Sequence, residues 1–92
     1  KADEALRIGL VSKVVEVVEL GATAQAIAAR IAANPPHAVR LTKQLLRGSE
    51  RNSLDEMLDK SAAFQAICHA EPDHHEAIAA FFDKRSGAYR KD

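Results

Sequence analysis

Apolar residues recur along most of the chain at intervals of three and four, the spacing that places side chains on one face of an α-helix. The first clear stripe begins after Glu16 and ends near Asn34, where two prolines follow. The pattern therefore predicts a helix over residues 17 to about 34. The stripe consists of Val17, Leu20, Ala24, Ile27 and Ile31.

A second helix is predicted over residues 37–47, directly after the two prolines. Pro36 suits its first position, because that position has no intrahelical partner for a backbone N–H and proline lacks one. Gly48 is expected to end it, since glycine is favoured just past helix termini. Its predicted inner face is formed by Ala38, Leu41 and Leu45.

Two more helices are predicted in the remaining half of the chain. Ser53 and Glu56 have the spacing of a capping box, which marks a helix start, and this helix should end near His69. Pro72 opens the last helix, and Gly87 is expected to close it. The positions predicted to be buried in the first of these helices are Leu54, Leu58, Phe64 and Ile67. The predicted apolar side of the second consists of Ile78, Ala79, Phe81 and Phe82.

The amino-terminal residues have a different pattern. Residues 2–8 are typical of a short helix closed by Gly9, and the β-branched run from Leu10 to Val15 is typical of a strand. A single strand leaves its backbone donors and acceptors unpaired. We therefore expect this strand to pair with a segment outside the chain or with a second copy. The predicted fold class is mainly α, with a short helix-strand element followed by about four helices.

Charge and composition exclude several classes of protein. Thirteen basic and thirteen acidic residues give a formal net charge of +0, which argues against a nucleic-acid-binding protein. No apolar run approaches the roughly 20 residues that span a membrane. The single cysteine, Cys68, cannot form an internal disulfide and is typical of a reducing compartment. We therefore expect a cytoplasmic protein without nucleic-acid or membrane partners.

Two side-chain clusters are candidates for chemistry, but each has a simpler interpretation. His69, Asp73 and His75 lie near one turn with Cys68, yet their spacing matches no structural zinc pattern, so solvated histidines are favoured and no metal is expected. Cys68 is better interpreted as an inert thiol than as a nucleophile. A basic stripe on the second helix is better explained as a solvated face than as a DNA contact. It consists of Arg40, Lys43 and Arg47.

Three segments carry a resemblance to a known family. Residues 5–15 read ALRIGLVSKVV, like the family pattern A-x-x-x-G-L-V-x-x-V-V. Residues 31–43 read IAANPPHAVRLTK and are similar to the family stretch I-A-x-x-P-x-A-x-x-x-T-K. Residues 81–85 read FFDKR, like the terminal A-F-x-x-K-R-x-P-x-F motif, although residues 86–89 read SGAY where the family often has a proline and a phenylalanine. In this order the three segments resemble the C-terminal region of the enoyl-CoA hydratase/isomerase (crotonase) family.

The resemblance implies a larger parent enzyme that acts on acyl-CoA thioesters in fatty-acid metabolism. Residues 1–16 would end its core, and residues 17–92 would form a helical C-terminal domain for oligomerisation. The oxyanion hole and the acid/base carboxylates would lie in the preceding core, so this segment is expected to contain no catalytic residue and no cofactor and to be inactive alone. Self-association is expected, as a dimer of the segment and a trimer or hexamer of the parent. The alternative is a stand-alone helical interaction module.

The resemblance also implies a contact with coenzyme A. Phe81 and Lys84 match the aromatic and the lysine of the terminal motif, which in relatives reach the adenine and phosphates of CoA. Three residues apart, they would share one face of the last helix. The alternative is that Phe81 is a core residue and Lys84 a solvated one. Gln65 stands where some hydratases have an aromatic near the adenine.

Overall fold

The structure of the chain is a computed structural model that describes residues 1–89. Within these residues it is helical, and none of its helices is both long and apolar enough to cross a membrane. The chain forms two compact units, Lys1–Arg30 and a second one from Ile31 onward. The helices are α1 (Ala2–Arg7), α2 (Leu20–Ala32), α3 (Pro36–Gly48), α4 (Leu54–His69) and α5 (Pro72–Asp83), with a 3₁₀ turn at Val17–Glu19.

In the first unit, Gly9 closes α1, as the sequence predicted. Gly9 has a φ of 77°, in the left-handed region that a glycine adopts without a steric penalty. The Leu10 N–H donates to the Ala5 carbonyl at 2.8 Å, and the Gly9 N–H donates to Leu6 at 3.1 Å. These two bonds form a Schellman motif, which uses carbonyls that the helix end would otherwise leave unpaired.

The strand predicted at residues 10–15 is wrong, because residues 1–89 form no strand. The segment lacks helical structure, and it is extended at its end, where Glu16 has φ −63° and ψ 149°. β-Branched residues favour an extended backbone, but a strand also requires a neighbour that completes the hydrogen-bond ladder. Within the described residues no such neighbour is present, so the composition predicted the wrong element.

The second unit packs α3 against α4 and α4 against α5. Leu41 of α3 is 8% exposed and Ala80 of α5 is 3% exposed, and these are the buried apolar side chains of residues 1–89. Leu41 belongs to the predicted inner face of α3, whose other members, Ala38 and Leu45, are half-buried. The prediction for this face and the start of α3 at Pro36 are therefore confirmed.

Most of the burial predicted for α4 is wrong, and the predicted apolar side of α5 is exposed. Leu54 is 74% exposed and Leu58 is 58% exposed, while Phe81 and Phe82 are 78% and 76% exposed. Of the predicted α4 positions, only Phe64 is half-buried. Periodicity identifies the apolar face of a helix, but the surfaces available to cover it depend on tertiary structure. Here α3 and α5 cover only part of α4.

Helix α5 ends at Asp83, and the left-handed residue that closes it is Lys84, with φ 52° and ψ 42°. The predicted closure at Gly87 is therefore wrong. The Arg85 N–H donates to the Ala80 carbonyl at 3.0 Å, and the Lys84 N–H donates to Phe81 at 3.3 Å. The helix thus ends in a second Schellman motif, with lysine where glycine is usual.

The capping box predicted at the start of α4 is confirmed. The Glu56 N–H donates to Ser53 Oγ at 3.2 Å, and the Ser53 N–H donates to Glu56 Oε2 at 2.7 Å. Two backbone donors that the first turn leaves unpaired are thereby satisfied.

We predict that Ser53→Ala lowers the free energy of unfolding by about 1 kcal/mol, because the capping acceptor is lost. The measurement is urea unfolding followed by far-ultraviolet circular dichroism. Ser12→Ala, which lies outside the helices, is the control and should leave the unfolding curve unchanged. Equal curves for Ser53→Ala and the unmodified chain would show that the cap does not stabilise α4.

Candidate functional site

The carboxyl end of α5 presents two neighbouring aromatic rings to solvent. The Phe81 and Phe82 rings have centroids 5.6 Å apart and an interplanar angle of 79°, an edge-to-face arrangement. Both rings are more than three-quarters exposed. Within residues 1–89 neither ring is therefore covered by the helices, and the contact of Phe81 with CoA stays a prediction.

Lys84 follows this aromatic pair but lies outside the helix. The argument that Phe81 and Lys84 share a helix face is therefore wrong, because α5 ends at Asp83 and Lys84 has left-handed backbone angles. The two residues remain close along the chain, since the Lys84 N–H donates to the Phe81 carbonyl. Lys84 is exposed, and within residues 1–89 its ammonium group has no ion-pair partner.

Arg85, the next cation, is held by carboxylates. Its Nη1 donates to Glu76 Oε1 at 2.6 Å and its Nη2 to Glu76 Oε2 at 3.4 Å, a bidentate pair. Its Nε donates to Asp83 Oδ2 at 3.3 Å, and Nη1 also reaches the Ser86 carbonyl at 3.3 Å. Of the two adjacent cations, Lys84 is therefore the one whose charge is available to a ligand.

Glu76 is the acidic centre of this segment. It also accepts a hydrogen bond from the Ala88 N–H at 3.0 Å. The hydrogen bond from Arg85, followed by the one from Ala88, lowers the pKa of Glu76 from its ordinary value of 4.5 to about 2. The same pairing raises the pKa of Arg85. Both groups are therefore charged at neutral pH, and their interaction is a true ion pair.

The sequence did not single out Glu76 as part of this site. It lies nine residues before Arg85, a separation at which two residues of one continuous helix would not meet. They meet because the chain reverses direction at Lys84, which the pattern did not predict. A glutamate within a helix and an arginine just past its end is the sequence signal that could have indicated this contact.

A second cluster lies where α3 begins and α4 gives way to α5. His37 Nδ1 is 3.0 Å from Glu71 Oε1, and both residues line a small cavity of about 110 Å³ with Cys68 and His74. The His74 ring stacks on His69 at a centroid distance of 4.5 Å. Within residues 1–89 no three of these side chains, or of any other histidines, cysteines and carboxylates, are grouped so as to hold a metal ion. The sequence did not predict that His37 belongs to this cluster.

Comparison with known proteins identifies the family. The sequence profile of the enoyl-CoA hydratase/isomerase family matches residues 1–92, which is the whole chain. The chain belongs to the enoyl-CoA hydratase/isomerase family. It is 45% identical over 85 residues to the short-chain-enoyl-CoA hydratase of Clostridium acetobutylicum. It is 34% identical over 85 residues to the 1,2-epoxyphenylacetyl-CoA isomerase of Escherichia coli.

Solved structures of family members have the same fold over nearly all of the chain. An enoyl-CoA hydratase from Bacillus anthracis superposes with a TM-score of 0.88 and 34% identity, covering 99% of this chain and 35% of that protein. One from Polaromonas sp. JS666 gives a TM-score of 0.91 at 28% identity, covering 98% and 35%. The two sequence relatives are each matched over 92% of this chain, and over 33% and 32% of their own length. The chain thus spans about a third of these family members.

We predict an acid-sensitive segment after α5. The pKa of Glu76 is about 2 in the folded chain and 4.5 without its partners, so its ion pair stabilises the fold above pH 4.5 and is lost as the pH falls toward 2. A carbon-13 NMR titration of the Glu76 carboxyl should give a midpoint well below its ordinary value of 4.5. A Glu76 midpoint at the ordinary value would contradict the ion pair.

Proposed function

We propose that this chain is the C-terminal helical segment of an enoyl-CoA hydratase/isomerase that acts on acyl-CoA thioesters in the cytoplasm. In this proposal the segment completes the CoA site and mediates subunit association, while another part of the enzyme supplies the catalytic groups. The observation that carries the proposal is the exposed Phe81 beside Lys84, whose ammonium has no ion-pair partner within residues 1–89, in a chain of this family. The order of the three sequence motifs supports the placement at the C-terminus.

The chemistry of CoA suits this end of α5. The nucleotide half of CoA has an adenine ring and phosphate groups. An exposed aromatic ring such as Phe81 can pack against adenine. An ammonium on a flexible stem, as in Lys84, can follow a phosphate as a point charge. Because Arg85 is already paired with Glu76, we assign the phosphate contact to Lys84 alone.

The proposed association uses the part of the apolar stripe that lies in the first unit, from the 3₁₀ turn into α2. Along it Val17 is 86% exposed and Leu20 is 62% exposed, and Ile27 is also exposed. Contiguous apolar patches on a protein surface commonly mark interfaces. We propose a dimer for the chain alone, in which the two copies cover this stripe, and a trimer or hexamer for the complete enzyme.

The catalytic groups are assigned to the part of the enzyme outside this segment. Family chemistry needs an oxyanion hole of backbone N–H donors and a carboxylate acid/base beside it. At the end of α5 the nearest carboxylates, Glu76 and Asp83, are both engaged by Arg85. We therefore propose that this segment contributes binding rather than chemistry.

We predict that Lys84→Ala in the complete enzyme raises the KM for crotonyl-CoA roughly tenfold with little change in kcat, because a charged contact that is equal in the ground and transition states is lost. Steady-state hydration assays provide the measurement. Lys43→Ala, an exposed lysine on α3, is the matched control and should have unchanged kinetics. Identical KM values for Lys84→Ala and the unmodified enzyme would exclude the phosphate contact.

We predict that sedimentation equilibrium of the chain gives the mass of two copies, and that Ile27→Glu shifts the mass to one copy. A carboxylate in the centre of an apolar interface would lose its hydration without gaining a partner. Gln25→Glu adds the same charge to an exposed polar position of α2 and should remain dimeric. A single-chain mass for the unmodified chain at high concentration would contradict the association.

A further inference from the structure

One carboxylate organises the segment that follows α5. Glu76 lies within the helix, and its two oxygens accept hydrogen bonds from the Arg85 guanidinium and from the Ala88 backbone N–H. Its side chain is 27% exposed, so these contacts are partly shielded from solvent. Arg85 and Ala88 therefore both contact Glu76 within α5. For these contacts to form, the chain must reverse its direction immediately after Asp83.

This reversal determines the backbone conformation of Lys84. Arg85 reaches back to Glu76 because Lys84 has left-handed backbone angles, with φ 52°. A side chain other than glycine is uncommon in this region because its Cβ crowds the backbone. Such a conformation persists where surrounding contacts hold it, and it often occurs at functional sites. Here the surrounding contacts are the two Schellman hydrogen bonds and the Glu76 carboxylate.

We propose that Glu76 is a positioning residue for CoA binding: its contacts with Arg85 and Ala88 fix Lys84 in the conformation that directs its ammonium group to the CoA phosphates. The inference rests on the proposed function, because it assumes the contact between Lys84 and CoA. Glu76 itself does not touch the ligand. It acts by neutralising Arg85 and by holding the backbone on both sides of the turn.

The first test uses the chain alone and measures whether Glu76 holds the backbone at Lys84 and Ala88. Glu76→Gln should accelerate hydrogen exchange of the Ala88 amide and move the Lys84 backbone chemical shifts away from left-handed values. Glu50→Gln is the matched control, since it makes the same chemical change at an exposed glutamate outside α5. It should leave both signals unchanged. If Glu76→Gln also leaves them unchanged, Glu76 does not hold the turn and the proposal is overturned.

The second test measures binding in the complete enzyme with two substrates. Crotonyl-CoA contains the nucleotide half that Lys84 would contact, and the crotonyl thioester of N-acetylcysteamine lacks it. Glu76→Gln should raise the KM for crotonyl-CoA severalfold, leave kcat unchanged, and leave kcat/KM for the nucleotide-free thioester unchanged. Arg85→Lys, which keeps the charge but loses the bidentate fork, should show a smaller rise of the same kind.

The outcomes separate this inference from the proposed function. A KM effect in Lys84→Ala but in neither Glu76→Gln nor Arg85→Lys would overturn the positioning role and leave the CoA contact standing. No effect in Lys84→Ala would overturn the contact itself and the inference with it. Equal losses on both substrates in Glu76→Gln would indicate general structural damage and would also overturn the inference. If Glu76→Gln does not fold, Arg85→Lys decides between the same outcomes.

Discussion

Helices α3, α4 and α5 are held together around Leu41 and Ala80, the buried apolar side chains of the described residues. Burial of a leucine side chain stabilises a fold by about 1.5–3 kcal/mol, and an alanine contributes less because it removes less apolar area from water. Such a small core leaves the outer faces of these helices uncovered. The exposure of Leu54 and Leu58 on α4 and of Phe81 and Phe82 on α5 follows from this constraint.

The small size of this apolar core also explains the exposure of the candidate site. Within residues 1–89 the Phe81 ring is largely uncovered, and Arg85 engages the carboxylates of Glu76 and Asp83. Polar contacts rather than apolar packing join the residues after α5 to the helix. They are the bidentate pair between Glu76 and Arg85 and the hydrogen bond from the Ala88 N–H to Glu76.

The comparisons and the geometry support different parts of the functional assignment. Membership of the enoyl-CoA hydratase/isomerase family follows from the profile match over residues 1–92 and from relatives up to 45% identical. The role proposed for the segment depends on side chains instead, namely the exposed Phe81 and Lys84, which has no ion-pair partner among the described residues. The chain spans about a third of these relatives.

Local signals in the sequence were sufficient to predict where helices begin and to indicate the family. Pro36 and the Ser53 capping box began helices where predicted, because these signals act within one turn of the backbone. Features that need a partner distant in the sequence were not predictable in this way. The Leu10–Val15 run formed no strand without a neighbouring strand, and α4 exposed leucines that no helix covers. Only the folded structure decided that Lys84 would close α5. Besides the local backbone hydrogen bonds to Ala80 and Phe81, Glu76 pairs with Arg85 across that turn, and local sequence patterns do not connect those two residues.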